Sequence, residues 1–434
     1  MARRRPTLAV ISALGLIAVG AAGWAAREKS ADLRRSCPGG VLSVASVGDI
    51  MMGSDLGPAR RAAADTAPLL RASHVALGSL SMTLLERPRE ADPRGPVGGR
   101  RHADQLHDWG FTVVSRANDH VADFGRDGVG ATGRLLGRAG LASAGVGGDL
   151  AAARAPVWLE TPCGRVAVIA ATSTLRGEDP ATPTRPGIAG RPGANPLRYS
   201  TRLELDPQTY RALSEQAVRL GGAPPDADGR LRVLGATLEP GERNVAIRTV
   251  DGADQAAILA QVREARKTAA LVIVSIHSHE PDNASLEPAP FIEAFARAAI
   301  DGGAGLVVGQ GPHRLRPLEF HGNGLIAYSL GDFVSDRRVA ASLSANPFDA
   351  ARTSEGAVLT AAFRGGRIRS ARLHALDLSA GEDVAAGFPR LARDGSAQSA
   401  IAGLIRQSGA RGAHLVVRDG AADISPATPT GRPS

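Results

Sequence analysis

Aromatic residues are scarce in this chain, with Trp, Tyr and Phe together making up 3% of its 434 residues. Its core must therefore be built from Val, Leu, Ile and Ala, whose small side chains suit close packing of helices on sheets. Lysine is nearly absent, occurring only at Lys29 and Lys267, so the formal charge of +8 rests on arginine. With the accompanying richness in Ala and Gly, that bias reads as coding composition rather than as a polyanion-binding surface. No basic run carries interleaved aromatics and no nucleic-acid module is recognisable, which excludes nucleic acid as an expected partner. A hydrophobic content of 43% with 22% charged residues excludes disorder as the default and is ample for one large domain or two modest ones. Cysteine is limited to Cys37 and Cys163. Arg34, Arg35 and Ser36 precede Cys37, so the small-residue signature of a lipoprotein is missing. The two cysteines leave two readings open, a single disulfide in an oxidising compartment or two buried thiols.

Charge is also missing from Pro6 to Ala26, between the cluster Arg3, Arg4, Arg5 and the stretch Arg27, Glu28, Lys29. The run is about as long as a bilayer core is thick, and the leading arginines predict a cytoplasmic N-terminus with everything after Ala26 outside. An uncleaved single-pass anchor and a cleaved signal peptide are both open, and either one exports the bulk of the chain. The expected organisation is residues 1–30 as anchor or signal segment, 31–40 as linker, 41–380 as the main domain and 381–434 as a C-terminal helix and tail.

Along the main domain, apolar strands alternate with helical stretches. Strands are predicted at Val41 to Val47, ending at Gly48-Asp49, then at Val75 to Leu80 and Phe111 to Ser115; helices are predicted at Leu56 to Ala72, Ala103 to Trp109 and Gly128 to Gly140. This βαβαβα order predicts a parallel sheet. Val157 to Leu159 and Val166 to Ala171, separated by Pro162, Cys163 and Gly164, read as a hairpin. The stretch Arg176 to Arg198 is rich in Pro, Gly and Arg, and reads equally as a functional lid or as disorder. Helices at Pro207 to Leu220 and Ala253 to Thr268 precede the strand Leu271 to Ile276, the helix Ala289 to Ile300 and the strand Leu306 to Val308. Strands at Leu325 to Tyr328, Ala357 to Phe363 and Ile368 to Leu373 and a helix at Ala397 to Arg406 complete the reading. The fold class expected is α/β, a layered β-sheet core flanked by helices.

Polar residues able to bind a metal follow the apolar strands directly: Asp49, Asp119 with His120, His277 with His279, and His313. A mixed Asp and His set delivered by several strand ends is what a hydrolytic divalent-metal site requires. At these same residues the chain resembles the CapA-type capsule synthesis (poly-γ-glutamate) proteins of the calcineurin-like metallophosphatase superfamily. The resemblance lies in Gly48-Asp49-Ile50-Met51-Met52-Gly53, in Ala117-Asn118-Asp119-His120-Val121-Ala122-Asp123-Phe124-Gly125, in Gly311-Pro312-His313 and in Tyr328-Ser329-Leu330-Gly331-Asp332-Phe333. It runs from about Leu42 to about Asp377, with 176–250 similar to an insertion found in one branch of the family.

The resemblance implies a metallophosphatase-like cleft with Asp49, Asp119, His277 and His313 as metal ligands and His120, with Asp123, as the catalytic acid or charge stabiliser. Asn118, His279, Glu280, Arg191, Asn195, Arg198, Gln310 and Asp332 would support the ligands or the substrate, with an arginine of the 191–198 loop gripping its negative charge. Two departures from the family pattern stand out. Ser79-Leu80-Ser81 replaces the family's Asn-Leu-Glu, and Gly309-Gln310 replaces Gly-His. Neutral Ser81 cannot supply the anionic bridge between two dications, so at most one divalent metal (Mn, Fe, Zn or Mg) is expected. Two functions remain open: a metal-dependent hydrolase or transferase acting on an anionic envelope polymer or phosphoester, or a non-catalytic member of a capsule-assembly complex with a degraded metal site.

Overall fold

The computed structural model describes residues 36–53, 63–89, 92–336, 355–378 and 387–426. The apolar segment Pro6 to Ala26 and residues 56–62 of the predicted Leu56 to Ala72 helix lie outside them; in the described remainder of that stretch only Ala67–Arg71 is helical. Among the described residues no helix is long and apolar enough to cross a membrane.

Two large sheets carry the fold. The first has the parallel neighbours Leu42–Met51, Val75–Leu80, Val113–Ser115 and Ala142–Ala144. Its other half is antiparallel, with Glu355–Arg364 and Arg367–Asp377 followed by the hairpin Ala413–Arg418 and Ala421–Pro426. The second sheet has parallel Val166–Thr172, Leu271–His277, Leu306–Gln310 and Gly324–Leu330, with hairpin partners Val157–Leu159 and Leu315–His321 at its edges.

Alternation along the strands explains how the sheets stack. In Leu42–Met51, Leu42 and Val44 point into a core shared with Val168, Ile273, Val308 and Leu325 of the second sheet. The odd partners Ala45 and Val47 point the other way, onto Leu106, Trp109 and Leu135 of the helices Arg100–Trp109 and Gly125–Arg138. On the far side, Ala167, Ile169, Val272 and Val274 meet Ile258, Val262, Phe291 and Phe295 of the helices Gly252–Arg266 and Pro290–Asp301. The result is four layers, helix, sheet, sheet, helix, in agreement with the layered α/β class.

Several expectations need correction. The first strand does not stop at Gly48-Asp49 but runs to Met51, its register shifting there so that Asp49 can turn into the cleft. Gly48 permits this: a Cβ at that position would lie 1.8 Å from the carbonyl oxygen of Gly331, where two backbones cross. The C-terminal region is not an appended tail, because its hairpin widens the first sheet and its helix Asp394–Gly409 buries Ile401 and Leu404 in the shared core. The insertion contains four strands that the sequence does not predict, Tyr199–Leu205, Leu231–Val233, Ala236–Pro240 and Val245–Val250. They form a small separate sheet with a core of Leu205, Leu231 and Leu238. Their patterns are too polar and half-exposed to announce a buried face.

The 176–198 stretch is ordered and tied down. Asn195 donates through Nδ2 to the carbonyl of Ala170 at 2.9 Å, and its backbone N–H donates to Gly145 at 2.8 Å. At the end of the stretch, Arg198 makes a fork to the fully buried carboxylate of Asp254, with Nε to Oδ2 at 2.6 Å and Nη2 to Oδ1 at 2.7 Å, and Arg154 joins from the other side. Paired charges of this kind are costly to break one-sidedly. Asp254→Ala is therefore expected to destabilise the protein by about 3 kcal/mol, the half-exposed Arg198 keeping the loss at the lower end of the range for buried pairs. Urea unfolding measures it, and a change below about 0.5 kcal/mol would show the hub to be without weight.

Candidate metal centre

Parallel strands deliver the chemistry at their carboxyl ends, where the two sheets part. Asp49 lies near the end of the first strand, Ser81 just after Val75–Leu80, Asp119 and His120 after Val113–Ser115, and His277 is the last residue of Leu271–His277. All of these are buried or nearly so. The ligating atoms gather into two adjoining groups, Asp49 with His313 and Asp332, and Asp119 with His277 and His279, each group spanning no more than 4.8 Å. The single ligand set expected from the sequence is thus divided between two groups. His279 and Asp332, expected only to support the ligands, belong to the groups able to hold an ion.

The first group is tightly held. Asp49 accepts from Ser81 Oγ at 2.6 Å through Oδ1 and from the Gly311 N–H at 2.8 Å through Oδ2. Gly311 sits at φ +118°, a left-handed backbone that only glycine takes easily and that aims this N–H at the carboxylate. His313, itself at φ +57°, pairs with Asp332 Oδ1 through Nδ1 at 2.8 Å. The other carboxylate oxygen of Asp332 is buried without a hydrogen-bond partner.

In the second group, His277 bridges the two. Its Nδ1 lies 3.4 Å from Asp49 Oδ1 and its Nε2 lies 3.3 Å from Asp119 Oδ1, with no hydrogen bond at Nδ1 or at Asp119 Oδ1. Burial alone would lower the His277 pKa, but the charges of Asp49 and Asp119 push it up to about 10. Burial would raise both aspartates, yet the facing histidines hold each well below the usual carboxylate range. His279 goes the other way: burial and the neighbouring His277 and His313 lower it to about 4, against the pull of Asp119. Its Nδ1 meets Asn283 Oδ1 at 2.8 Å. Buried carboxylate oxygens of Asp119 and Asp332 and the buried Nδ1 of His277, all without hydrogen-bond partners, fit a divalent cation that displaces the imidazolium proton and binds oxygen and nitrogen.

Beside these groups His120 Nδ1 is 2.7 Å from Asp123 Oδ2, and its Nε2 is 4.0 Å from Asp119 Oδ1. Asn118 fixes the turn, accepting from the His120 N–H and donating to the carbonyl of Leu80. Its amide is therefore occupied by backbone. Gln310 turns its Oε1 to Ser275 Oγ at 3.1 Å, beneath the ligands. Glu280 accepts from the hydroxyls of Ser173, Ser278, Thr174 and Tyr199, which outweigh its burial and keep it ionised. It braces the His279 loop.

The structure also corrects the choice of arginine. Arg198 is committed to Asp254, and Arg191 donates to the carbonyl of Pro180 beside Glu178. Arg176 occupies the cleft instead, its Nη2 2.9 Å from Asp119 Oδ2 and its Nη1 3.7 Å from Asp123 Oδ1. No pattern in the sequence set it apart from its neighbours. Arg176 also lines an open cavity of about 740 Å³, with Ser173, Thr174, Tyr199, Thr201 and Glu280, which adjoins the metal groups. Away from the cleft, Cys37 and Cys163 form a disulfide.

Comparison with known proteins bears on the same residues. The family described as bacterial capsule synthesis protein PGA_cap matches residues 43–337. An uncharacterised Sinorhizobium fredii protein, y4sH, is 33% identical over 305 residues, 68% of this chain and 66% of its own length. The capsule biosynthesis protein CapA of Bacillus anthracis is 25% identical over 342 residues, 76% of this chain and 68% of its own. A probable polyglutamine synthesis accessory protein of Mycobacterium tuberculosis is 28% identical over 270 residues, 61% of this chain and 56% of its own. The match to the Sinorhizobium protein thus falls just short of two thirds of that protein's length.

Proposed function

The chain belongs to the bacterial capsule synthesis protein family PGA_cap, and on that footing we propose that it serves the synthesis of an anionic, poly-γ-glutamate-type envelope polymer outside the cytoplasm. Its cleft would hold one divalent cation and break or transfer a bond in that polymer or in a phosphoester of the envelope. The observation that carries this reading is the convergence of unpartnered, buried carboxylate and imidazole atoms beside the His120–Asp123 pair. Asp49, His313 and Asp332 are the residues to hold the cation, with His277 at their edge. A cation bound there supplies an activated water and a positive charge against the developing anion.

The chain's own residues do the rest. Asp123 accepts a hydrogen bond from the Nδ1–H of His120 and so keeps Nε2 turned to the cleft, where it hands a proton to the leaving group when the ring is charged. Asp123 also stabilises that imidazolium. Turnover of bis-p-nitrophenyl phosphate and of poly-γ-glutamate by the Mn-loaded protein tests the reading. Slow turnover is expected, falling about 100-fold in His120→Asn with the bound metal retained.

The second reading, a non-catalytic member of an assembly complex, is favoured by Ser81. Its hydroxyl contacts the one Asp49 oxygen that faces His277, the position from which a carboxylate would bridge two cations. Total inactivity of the metal-loaded protein on both substrates would select it. Ser81→Glu combined with Gln310→His is expected to raise the metal content from one toward two ions per chain and to speed phosphoester turnover. Elemental analysis that finds one ion in both proteins counts against this account of the departures.

Location follows from the N-terminal reading: an arginine cluster before a membrane-length apolar run, and a disulfide, both suit a domain exposed outside the membrane. A C-terminal reporter active only outside the cytoplasm should be active. Activity of a reporter that functions only in the cytoplasm would overturn the topology.

A further inference from the structure

A charge count over the cleft raises a question that the ligands alone do not answer. Asp332 adds a third carboxylate to Asp49 and Asp119, and Asp123 stands close behind them. That is more negative charge than one dication and a neutral histidine set require, and the second group, Asp119 with His277 and His279, has the donor chemistry to take an ion of its own. What distinguishes the two groups is Arg176. Its guanidinium lies on Asp119 Oδ2 at 2.9 Å and reaches Asp123 Oδ1 at 3.7 Å, while among the described residues the carboxylates of the first group face histidines, His277 at Asp49 and His313 at Asp332.

The position of Arg176 is built rather than incidental. Its backbone N–H donates to Asp179 Oδ2 at 2.6 Å, and the Asp179 N–H donates back to the carbonyl of Arg176 at 2.8 Å. Asp179 is itself buried, and its carbonyl accepts from the N–H of Ala194, so the turn is anchored to the insertion. The side chain remains half exposed, so its removal does not empty a core position.

We propose that Arg176 is a tethered second cation of this cleft: it neutralises Asp119 and Asp123 in the place of a second divalent ion and thereby keeps the Asp119–His277–His279 group from binding metal. The inference rests on the reading of the cleft as a one-metal site. A guanidinium on one oxygen of Asp119 and a dication on the other repel across a few ångströms of weakly screened space, so the two compete for the same carboxylate. Such a cleft is a mixed clamp, one metal and one guanidinium, whose two charges face a carboxylate or phosphate from two sides.

Titration with Mn²⁺ by calorimetry, with elemental analysis after gel filtration, decides the matter. The unmodified protein is expected to bind one ion, Arg176→Ala and Arg176→Gln two, and Arg176→Lys one. The second ion should bind at least about tenfold more tightly in Arg176→Ala than any second ion in the unmodified protein. Adding Asp119→Asn to Arg176→Ala should return the count to one, while Asp119→Asn alone keeps one. One ion in the unmodified protein and one in both neutral variants overturns the proposal and leaves the one-metal reading standing. Two ions in the unmodified protein also overturn it, since Arg176 then excludes nothing. No ion in any of the proteins removes the proposal together with the metal reading beneath it.

Discussion

Asp49→Ala is expected to abolish tight binding of divalent metal altogether. Asp49 is fully buried, its two oxygens are oriented by Ser81 Oγ and by the Gly311 N–H, and it is the carboxylate that both ligand groups adjoin. Alanine removes the charge and leaves His277 with only Asp119 to balance it. Asp49→Asn is the companion variant, because it retains hydrogen-bonding capacity while removing the charge, and it should also lose the ion. Retention of one ion by both variants would move the metal site out of this cleft.

The same geometry sets a pH dependence. Without metal, His277 is held protonated by its two carboxylates, with its pKa pushed up to about 10. A dication on Asp49 cannot coexist with an imidazolium 3.4 Å from the same carboxylate, so binding expels the proton. Protons therefore compete with metal below that pKa, and the dissociation constant for Mn²⁺ should tighten about tenfold for each unit of rising pH between about 6 and 9. Affinity that does not change with pH would show that His277 stays neutral or stands apart from the ion.

Removing the disulfide is the second large effect expected. Cys37 and Cys163 are 126 residues apart in sequence, so their bond closes a long loop and restricts the unfolded chain strongly. In the loop-entropy picture the bridge is worth about 5 kcal/mol. It fastens the start of the described chain, Cys37 to Gly40, to the hairpin of Val157–Leu159 and Val166–Thr172 at the edge of the second sheet. The double variant Cys37→Ser with Cys163→Ser should show this loss in urea unfolding, and reduction of the unmodified protein should reproduce it. A loss below about 1 kcal/mol would mean that the unfolded state is already compact around this loop. Two free thiols titrated in the unfolded, unreduced protein would mean that no bridge forms.

Much of the candidate site could be read along the chain because parallel sheets gather residues in a regular way. A buried strand appears as an apolar run, and the first polar residue beyond it falls at the carboxyl edge of the sheet, whichever strand it ends. Asp49, Asp119, His277 and His313 stand out near strand ends on that ground, and a parallel sheet followed from strand and helix alternation, whereas sheets flanked by helices were what the family resemblance implied. The small sheet of the insertion was not legible, since Tyr199–Leu205 and Val245–Val250 alternate half-buried with exposed residues and gain their cover from each other and from residues distant in sequence, such as Phe291 against Tyr199. The C-terminal hairpin was missed for a related reason: a strand that extends a large sheet needs little hydrophobicity of its own.

The sequence by itself determined which strand ends carry carboxylate and imidazole side chains, because that depends only on the order of residues along single strands, and the family resemblance marked Ser81 as the position without the expected charge. Tertiary structure alone decided how the ligands divide, that Asp332 joins Asp49 and His313, and which arginine enters the cleft. Arg176 and Arg198 flank one loop, and their carboxylate partners lie 57 and 56 residues away in sequence. Nothing in the chain's order ranks one above the other. The choice was made by where the small sheet and the Gly252–Arg266 helix hold the loop, with the buried Asp254 carboxylate claiming Arg198 and leaving Arg176 to meet Asp119.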